Sequence, residues 1–296
     1  MQKKSLCEPI SIECTEKILD QMKNSICHLS YCHNELCDNG FFCKIPYKGK
    51  LLPTLIACNH SIGKNVIFNE REFEISFDKN KYKLKLYNGT DRIIYTSEEL
   101  DITFIEIKDE DNLNFIHFLE LDNLFFEESS KYFENCLVYI PHYYLGGYGK
   151  CVSYGQICKS IDNRFLLKIN TEGNTSSPIL NLKTNKVIGI KIGRYKEKDL
   201  IIGHFLKQPI IELNNDINII NKYKDYTDKD FEKLSLISNG AYGEIYSAYI
   251  IKDKKDLCLK IINLEKMKID YAQNGIKDYR KDLENEIKIF KKIIIL

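Results

Sequence analysis

The sequence contains no tryptophan, and it has only 3 methionines and 6 prolines among 296 residues. It also lacks a long apolar run, since no stretch approaches the length of about 20 apolar residues that a membrane-spanning helix needs. Neither sign of charge predominates, because the sequence has 43 Lys and Arg and 42 Asp and Glu, for a net charge of +1. We therefore expect neither nucleic acid nor a membrane as a partner.

No apolar segment follows residues 1–5, so we expect no secretory signal peptide. The chain has 11 cysteines, an odd number, and they follow no repeating frame. This usage predicts a cytoplasmic protein with reduced thiols. The length fits one large β domain and a small second module.

Residues 1–37 are predicted to be a lead-in to the first domain. Apolar residues at helical spacing predict a short amphipathic helix within residues 8–26. Cysteines and histidines that follow could in principle hold zinc, which takes four nitrogen or sulfur ligands. They lack the paired Cys-x-x-Cys spacing, so we favour ordinary thiols and predict no metal site; the residues are Cys27, His28, Cys32, His33, Cys37 and Cys43.

A β-hairpin is predicted next, with strands at residues 40–46 and 51–58 and a turn between them. It places His60 at the end of its second strand. Imidazole titrates near neutrality and can accept and return a proton at pH 7, which makes His60 a candidate general base. A lone histidine after a strand is more often structural. Residues 66–98 then alternate apolar and charged side chains, which predicts an antiparallel sheet.

A polar, glycine-containing turn at residues 171–178 runs directly into apolar strands at 179–180 and 187–190. The turn resembles the nucleophile loop of the trypsin-like (chymotrypsin-fold) serine peptidases, whose pattern is Gly-x-Ser-Gly-x-Pro. The serine position holds Thr175 and the second glycine is Ser176; the stretch is Gly173, Asn174, Thr175, Ser176, Ser177 and Pro178.

The resemblance covers residues 38–213 and implies a mostly β fold of two barrels, with a peptide or protein ligand in the cleft between them. It implies that His60 is the base, that Asp101 orients its imidazole and that Thr175 is the nucleophile, in the chain order of chymotrypsin. The backbone N–H groups of Gly173 and Thr175 would form the oxyanion hole. Residues 112–135 would cross between the barrels, and residues 203–206 and 209–210 would complete the second one.

Threonine at this position limits the functional conclusion. A threonine hydroxyl can be a nucleophile, but β-branching restricts its rotamers and adds a methyl group beside the acyl site. Three hypotheses remain open. The domain is a weak or inactive peptidase-like module (a pseudoenzyme), it is an active intracellular endopeptidase using Thr175, His60 and Asp101, or its fold match has only structural meaning.

After a polar linker at residues 214–230, residues 231–296 resemble the N-lobe of the eukaryotic protein kinases, a small α+β unit. The stretch 236–246 is similar to the glycine-rich loop, Gly-x-Gly-x-Phe-Gly-x-Val, and an apolar strand at 257–262 is similar to Val-Ala-Ile-Lys. A helix is predicted over 283–290, with its glutamate paired to the strand lysine. The implied ATP-binding residues are Ile237, Gly240, Gly243, Ile245, Lys260 and Glu286.

The sequence runs to Leu296 without any His-Arg-Asp or Asp-Phe-Gly segment. Phosphoryl transfer by a kinase needs the aspartate and metal ligands of those segments. We therefore expect a truncated kinase that binds ATP poorly and transfers no phosphate, with a kinase C-lobe as a partner if a longer product exists. On this view the first domain regulates or targets a kinase; alternatively, the chain is a kinase-related ATP-binding fragment whose first domain only binds partners.

Overall fold

The computed structural model describes residues 9–31, 34–69, 72–77, 80–86, 92–122, 124–144, 149–171, 175–195, 200–215, 217, 231–240, 243–251, 255–262 and 264–273. The chain divides into two compact units, Met1–Asn221 and Lys222–Leu296. Within the described ranges, no helix is long and apolar enough to cross a membrane.

The first helix described in unit 1 is α1 (Ile12–Asn24). It confirms the helix that the apolar spacing predicts within residues 8–26. Ser11 caps it, because the Ser11 hydroxyl accepts a hydrogen bond from the Cys14 N–H at 3.2 Å. The buried face carries Gln21, whose amide donates to the Asn185 carbonyl at 2.9 Å and whose oxygen accepts from the Tyr139 hydroxyl at 2.6 Å. These bonds fix α1 against the second half of the unit.

The first half of unit 1 is an eight-stranded sheet that is antiparallel apart from one parallel pair. Its path runs β5-β4-β1-β2-β3-β7-β6, and β8 pairs in parallel with β2. The elements are β1 (Ile26–Tyr31), β2 (Asn34–Tyr47), β3 (Lys50–Ala57), α2 (Lys64–Asn69), β4 (Glu72–Phe77), β5 (Asn80–Lys85), β6 (Ile94–Ser97), β7 (Ile102–Glu106) and β8 (Leu119–Glu120).

The predicted hairpin is confirmed as β2 and β3, with Phe41 opposite Ile56 and Phe42 opposite Leu55. Phe41 and Ile56 belong to one apolar core cluster, whereas Phe42 and Leu55 belong to another. Around these four residues the hairpin is therefore buried on both faces, which explains why this part of its sequence is apolar without clear alternation.

The second half of unit 1 is a closed barrel of six antiparallel strands in the order β10-β11-β14-β13-β12-β9. Gly203 permits its packing, because a Cβ there would lie 2.5 Å from the ring of Phe165. The elements are α3 (Leu124–Glu127), β9 (Leu137–Tyr143), β10 (Lys150–Ile161), β11 (Arg164–Ile169), β12 (Ser177–Asn181), β13 (Val187–Tyr195), β14 (Leu200–Phe205) and α4 (Lys207–Asn214).

The structure corrects several sequence expectations. Pairing among the described residues closes one barrel, not two, and leaves β5 and β6 as the ends of the first sheet. The first strand of the first sheet along the chain, β1, lies within residues 1–37, which were predicted to be a lead-in. Residues 64–69 form α2 although strand was expected from residue 66. Pro209 and Ile210 lie in α4 and not in the barrel, because a proline needs no N–H partner in the first turn of a helix and Ile210 packs its side chain inward.

The zinc alternative is not supported by the residues that the structure describes. Cys27 and Cys43 are both fully buried, but they lie in different core clusters. His28 lies on β1. Cys32, His33 and the side chain of Cys37 lie outside the described residues.

Unit 2 contains a three-stranded antiparallel sheet, β15 (Phe231–Asn239), β16 (Gly243–Ile250) and β17 (Lys255–Ile262), followed by α5 (Leu264–Gln273). The sequence did not predict α5. The predicted helix at 283–290, with Glu286, lies outside the described residues.

Candidate active site

His60 lies just beyond the end of β3, in a turn that hydrogen bonds hold in place. The carbonyl of Cys58 accepts from the N–H groups of Ser61 at 3.2 Å and Ile62 at 3.0 Å. The Asn59 amide donates to the Thr96 hydroxyl on β6 at 2.6 Å. These hydrogen bonds fix the backbone of the turn that carries His60. The His60 side chain itself is 49% exposed.

Asp101 precedes β7 and adopts a left-handed backbone with φ of 51°. Its carboxylate accepts two hydrogen bonds from His60, one from the backbone N–H at 2.9 Å and one from ring Nδ1 at 2.7 Å. The second bond places a proton on Nδ1 and leaves Nε2 pointing away from the carboxylate. Asp101 therefore orients the imidazole and sets its tautomer.

Thr175 lies on the other side of the imidazole, two residues before the start of β12. Its Oγ1 is 2.9 Å from His60 Nε2. The three side chains therefore form a continuous carboxylate–imidazole–hydroxyl chain, contributed by the first sheet and the barrel. The structure brings together His60, Asp101 and Thr175 at hydrogen-bond distances.

The turn at residues 171–178, which carries Thr175, is called the threonine loop, and its end is held against the first sheet by Ser176. This buried residue adopts φ of 57°, in the left-handed region that favours glycine. Its N–H donates to the Lys191 carbonyl at 2.9 Å, and its hydroxyl accepts from the Cys58 N–H at 2.9 Å. Gly173 lies outside the described residues, as do its two neighbours, so the oxyanion hole of Gly173 and Thr175 stays a prediction.

The start of the same loop is fixed by the buried His142 and by the exposed Arg194. The Thr171 carbonyl accepts from Arg194 Nη2 at 2.8 Å, and the Thr171 hydroxyl is 3.1 Å from His142 Nε2. Ring Nδ1 of His142 faces the Tyr143 carbonyl at 3.1 Å. Burial lowers the pKa of His142, so the ring is neutral, with Nε2 as the acceptor.

Sequence reasoning missed Asp38, which lies on β2 with 13% of its side chain exposed. Its Oδ2 accepts hydrogen bonds from Thr175 Oγ1 at 2.6 Å, from Ser176 Oγ at 2.8 Å and from Ser61 Oγ. Its Oδ1 accepts from the Asn39 N–H at 2.8 Å. The only signal in the sequence was its place two residues before Gly40, at the start of the apolar strand.

Two carboxylates act on the imidazole. The pKa of His60 is raised, chiefly by the hydrogen bond that its ring donates to Asp101 and further by the charges of Asp101 and Asp38, while partial burial opposes this. The distance from His60 Nε2 to Asp38 Oδ2 is 3.8 Å. The site therefore favours the imidazolium more than an ordinary histidine environment does.

A metal is a poor fit here, although Cys58, His60 and Asp101 offer ligand atoms within 4.8 Å of one another. Burial raises the pKa of Cys58 well above its usual range, so the thiol keeps its proton, whereas a thiolate is the metal ligand. His60 Nδ1 also already donates to Asp101.

In unit 2 the structure places only part of the predicted nucleotide site. The Gly240 N–H donates to the Gly243 carbonyl at 2.7 Å, and Ile245 on β16 lies opposite Lys260 on β17. Ile237 is exposed on β15. The side chain of Lys260 and all of Glu286 lie outside the described residues. A Cβ on Gly243 would lie 2.2 Å from the Ile261 carbonyl, so this glycine also has a packing role.

No protein-family model matches the chain, and no curated protein matches its sequence. Solved structures match it at low identity. A catalytically active tobacco etch virus protease complexed with product is 15% identical, with 77% of this chain and 91% of that chain covered and a TM-score of 0.49. Deg5 is 14% identical over 70% of this chain and 98% of that chain, also at 0.49.

A Glu endopeptidase structure is 12% identical, with 65% of this chain and 89% of that chain covered and a TM-score of 0.47. At these identities and TM-scores, the likeness does not identify an activity.

Proposed function

We propose that unit 1 is a peptidase-like module that binds a peptide segment and reacts slowly with acyl carbons through the Thr175 hydroxyl. The observation that carries this proposal is the chain from Asp101 to His60 to Thr175, at 2.7 Å and 2.9 Å. A carboxylate, an imidazole and a hydroxyl in this order have one well-understood chemical use, which is nucleophilic attack on an acyl group.

The roles follow from proton positions. Neutral His60 accepts the Thr175 hydroxyl proton at Nε2 while Oγ1 bonds to the acyl carbon. Asp101 stabilises the imidazolium that forms, and His60 then returns the proton to the leaving amine. Water repeats the sequence to release the acyl group. Reaction is slow because the restricted Thr175 rotamer and the second carboxylate, Asp38, both oppose it.

A fluorophosphonate probe tests the proposal, because it phosphonylates an activated hydroxyl and the modified residue can be located by mass spectrometry. We expect slow labelling of the full chain at Thr175 and none in Thr175→Ala or His60→Ala. Asp20→Asn is the matched control, since Asp20 is an exposed carboxylate that contacts His117 instead of His60. Labelling elsewhere, or undiminished labelling of His60→Ala, would reject the function.

For unit 2 we propose weak binding of an adenine nucleotide. It is supported by the register that sets Ile245 opposite Lys260 and by the hydrogen bond from the Gly240 N–H to the Gly243 carbonyl. Glycines of this kind let backbone N–H groups approach phosphates. Titration with a fluorescent ATP analogue should give saturable binding that Lys260→Ala weakens. Equal binding by both proteins would remove the kinase-like interpretation.

A further inference from the structure

Asp38 holds three hydroxyl groups of the candidate active site on one oxygen atom. Thr175, Ser176 and Ser61 all donate to Oδ2. They come from the threonine loop and from the turn after β3, and Asp38 itself comes from β2. The carboxylate is therefore the point at which the elements that carry the site converge.

The number of protons available decides what this arrangement means. Thr175 has one hydroxyl proton and two acceptors in reach, Asp38 Oδ2 at 2.6 Å and His60 Nε2 at 2.9 Å. When the proton points to Asp38, Oγ1 turns a lone pair towards Nε2. Both contacts are then hydrogen bonds only if Nε2 carries a proton of its own.

Nδ1 already donates its proton to Asp101 at 2.7 Å. A proton on both ring nitrogens makes His60 an imidazolium, and this state satisfies every contact in the cluster. A neutral imidazole leaves Nε2 and Asp38 competing for one proton. The geometry thus fits a resting site in which His60 is charged and lies between two carboxylates.

We propose that Asp38 is a fourth residue of the active site, which restrains Thr175 by holding its proton and by keeping His60 in the imidazolium form. The inference rests on the proposed function. Attack needs the Thr175 proton to pass to Nε2 as the bond from Oγ1 to the acyl carbon forms and the carbonyl oxygen becomes an oxyanion. An imidazolium has no lone pair at Nε2 to accept that proton, so the step must wait until His60 is deprotonated.

Asp38 is badly placed to act as the base in place of His60. Its Oδ2 already accepts from Ser61 and Ser176 in addition to Thr175. A proton that arrived on this oxygen would disrupt those bonds and release Ser176, which holds the threonine loop to Cys58. The same cluster that restrains Thr175 therefore disfavours proton transfer to the carboxylate.

The titratable groups around the site set the sign of the pH dependence. Both carboxylates stabilise charged His60, whereas Lys191 and His28, whose pKa values the charge of Asp38 raises, partly offset that charge when they are protonated. Cys58 keeps its proton, as shown above. The groups that act on His60 or on its two carboxylates are Asp101, Asp38, Cys58, Lys191, His28 and His204.

The first test is the pH profile of fluorophosphonate labelling in the wild type and in Asp38→Asn, with Asp20→Asn as the control for loss of one carboxylate charge. We expect Asp38→Asn to label at least threefold faster at pH 7, with its profile shifted to lower pH, and to match the wild type at high pH. Slower labelling of Asp38→Asn at every pH, with an unmoved midpoint, would overturn the restraint. If Asp38→Asn does not fold, Asp38→Gly removes the same charge.

The second test does not depend on acyl chemistry. In protein carrying ¹⁵N-labelled histidine, NMR titration follows the His60 ring, which is assigned by its absence in His60→Gln. Asp38→Asn should lower the His60 pKa and Asp20→Asn should not. An unmoved pKa overturns the role of Asp38, whereas a lowered pKa with no labelling of any variant supports that role and rejects the acyl-transfer function.

Discussion

At the scale of the residue, Ser176 has a strained backbone, and two hydrogen bonds of its hydroxyl offset the cost of that strain. A side chain at φ of 57° costs roughly 1–2 kcal/mol relative to glycine. The hydroxyl compensates, because it satisfies the buried Cys58 N–H and donates to Asp38. The two departures from the peptidase pattern, Thr175 and Ser176, therefore share one partner, the Asp38 carboxylate.

This strain gives a first prediction. Ser176→Ala loses the hydroxyl but keeps the strained backbone, whereas Ser176→Gly loses the hydroxyl and relieves the strain. We expect both to be destabilised and Ser176→Ala to be the less stable by about 1 kcal/mol. Urea unfolding measures the difference. In an ordinary strand the order reverses, so a less stable glycine variant would show that the loop is not left-handed.

The methyl group of Thr175 gives a second prediction. Thr175→Ser removes the β-branch while keeping the hydroxyl that meets His60 and Asp38. A constrained rotamer costs roughly 0.5–1.5 kcal/mol, so the fluorophosphonate labelling rate should rise by up to about tenfold. The unfolding free energy of the same variant is the control for general loosening. A lower rate in a stable Thr175→Ser protein would show that the methyl group positions the hydroxyl.

At the scale of the element, a buried ion pair fixes the strands that flank Asp101. Arg92, just before β6, binds the Asp111 carboxylate at two points, 2.7 Å and 2.9 Å long. The side chains are 2% and 6% exposed. Arg92 also donates to the Glu106 carbonyl at the end of β7. The pair thus ties the hairpin of β6 and β7, whose connecting turn carries Asp101.

A third prediction follows from this burial. Removing one partner of a buried pair leaves an uncompensated charge, so Asp111→Ala should lower the unfolding free energy by about 3–5 kcal/mol. The exposed pair of Lys83 and Glu72 provides the matched control, because solvent screens it, and Glu72→Gln should lower the unfolding free energy far less than Asp111→Ala does. Thermal or urea unfolding checks both. Equal, small effects would mean that the Arg92 pair is hydrated.

Lys191 on β13 gives a fourth prediction, in the dependence of stability on pH. Burial, and then the charge of Arg194, lower its pKa to about 8. Because the folded value lies below the unfolded one, the charged form penalises the folded state below pH 8, and the penalty fades as pH rises towards the unfolded value.

We therefore expect Lys191→Met to be more stable than the wild type by about 2 kcal/mol at pH 7 and the two to converge near pH 10. Urea unfolding at both pH values measures this. The exposed Lys159 on β10 is the control, since Lys159→Met should show no such convergence. A stability difference for Lys191→Met that is constant with pH would contradict the assignment.

At the scale of the whole molecule, the two compact units carry separate proposals. Every residue of the candidate active site lies in Met1–Asn221, and every residue of the kinase-like resemblance lies in Lys222–Leu296. The hydrogen bonds that fix the site join the first sheet to the barrel inside one unit. The residues assigned to the candidate active site are thus all residues of unit 1.

A fifth prediction follows from this division. A chain of residues 1–221 should label with fluorophosphonate within twofold of the full-length rate and should lose binding of the ATP analogue. Circular dichroism of the shortened chain is the control for folding. If the shortened chain folds but no longer labels, residues 222–296 contribute to the site, and the separate assignment of the two functions fails.

The sequence by itself determined the local parts: α1 from its apolar spacing, the hairpin of β2 and β3 from its turn and apolar runs, and three candidate side chains from a family resemblance. Only the tertiary structure decided that the first sheet stays open in its described pairing, that residues 209–210 are helical, and that Asp38 belongs to the site. The spacing of apolar residues along the chain predicts which face of a strand a residue occupies. It does not determine that the hydroxyls of Thr175 and Ser176, from a loop more than a hundred residues away, will donate to Asp38 when the first sheet meets the barrel.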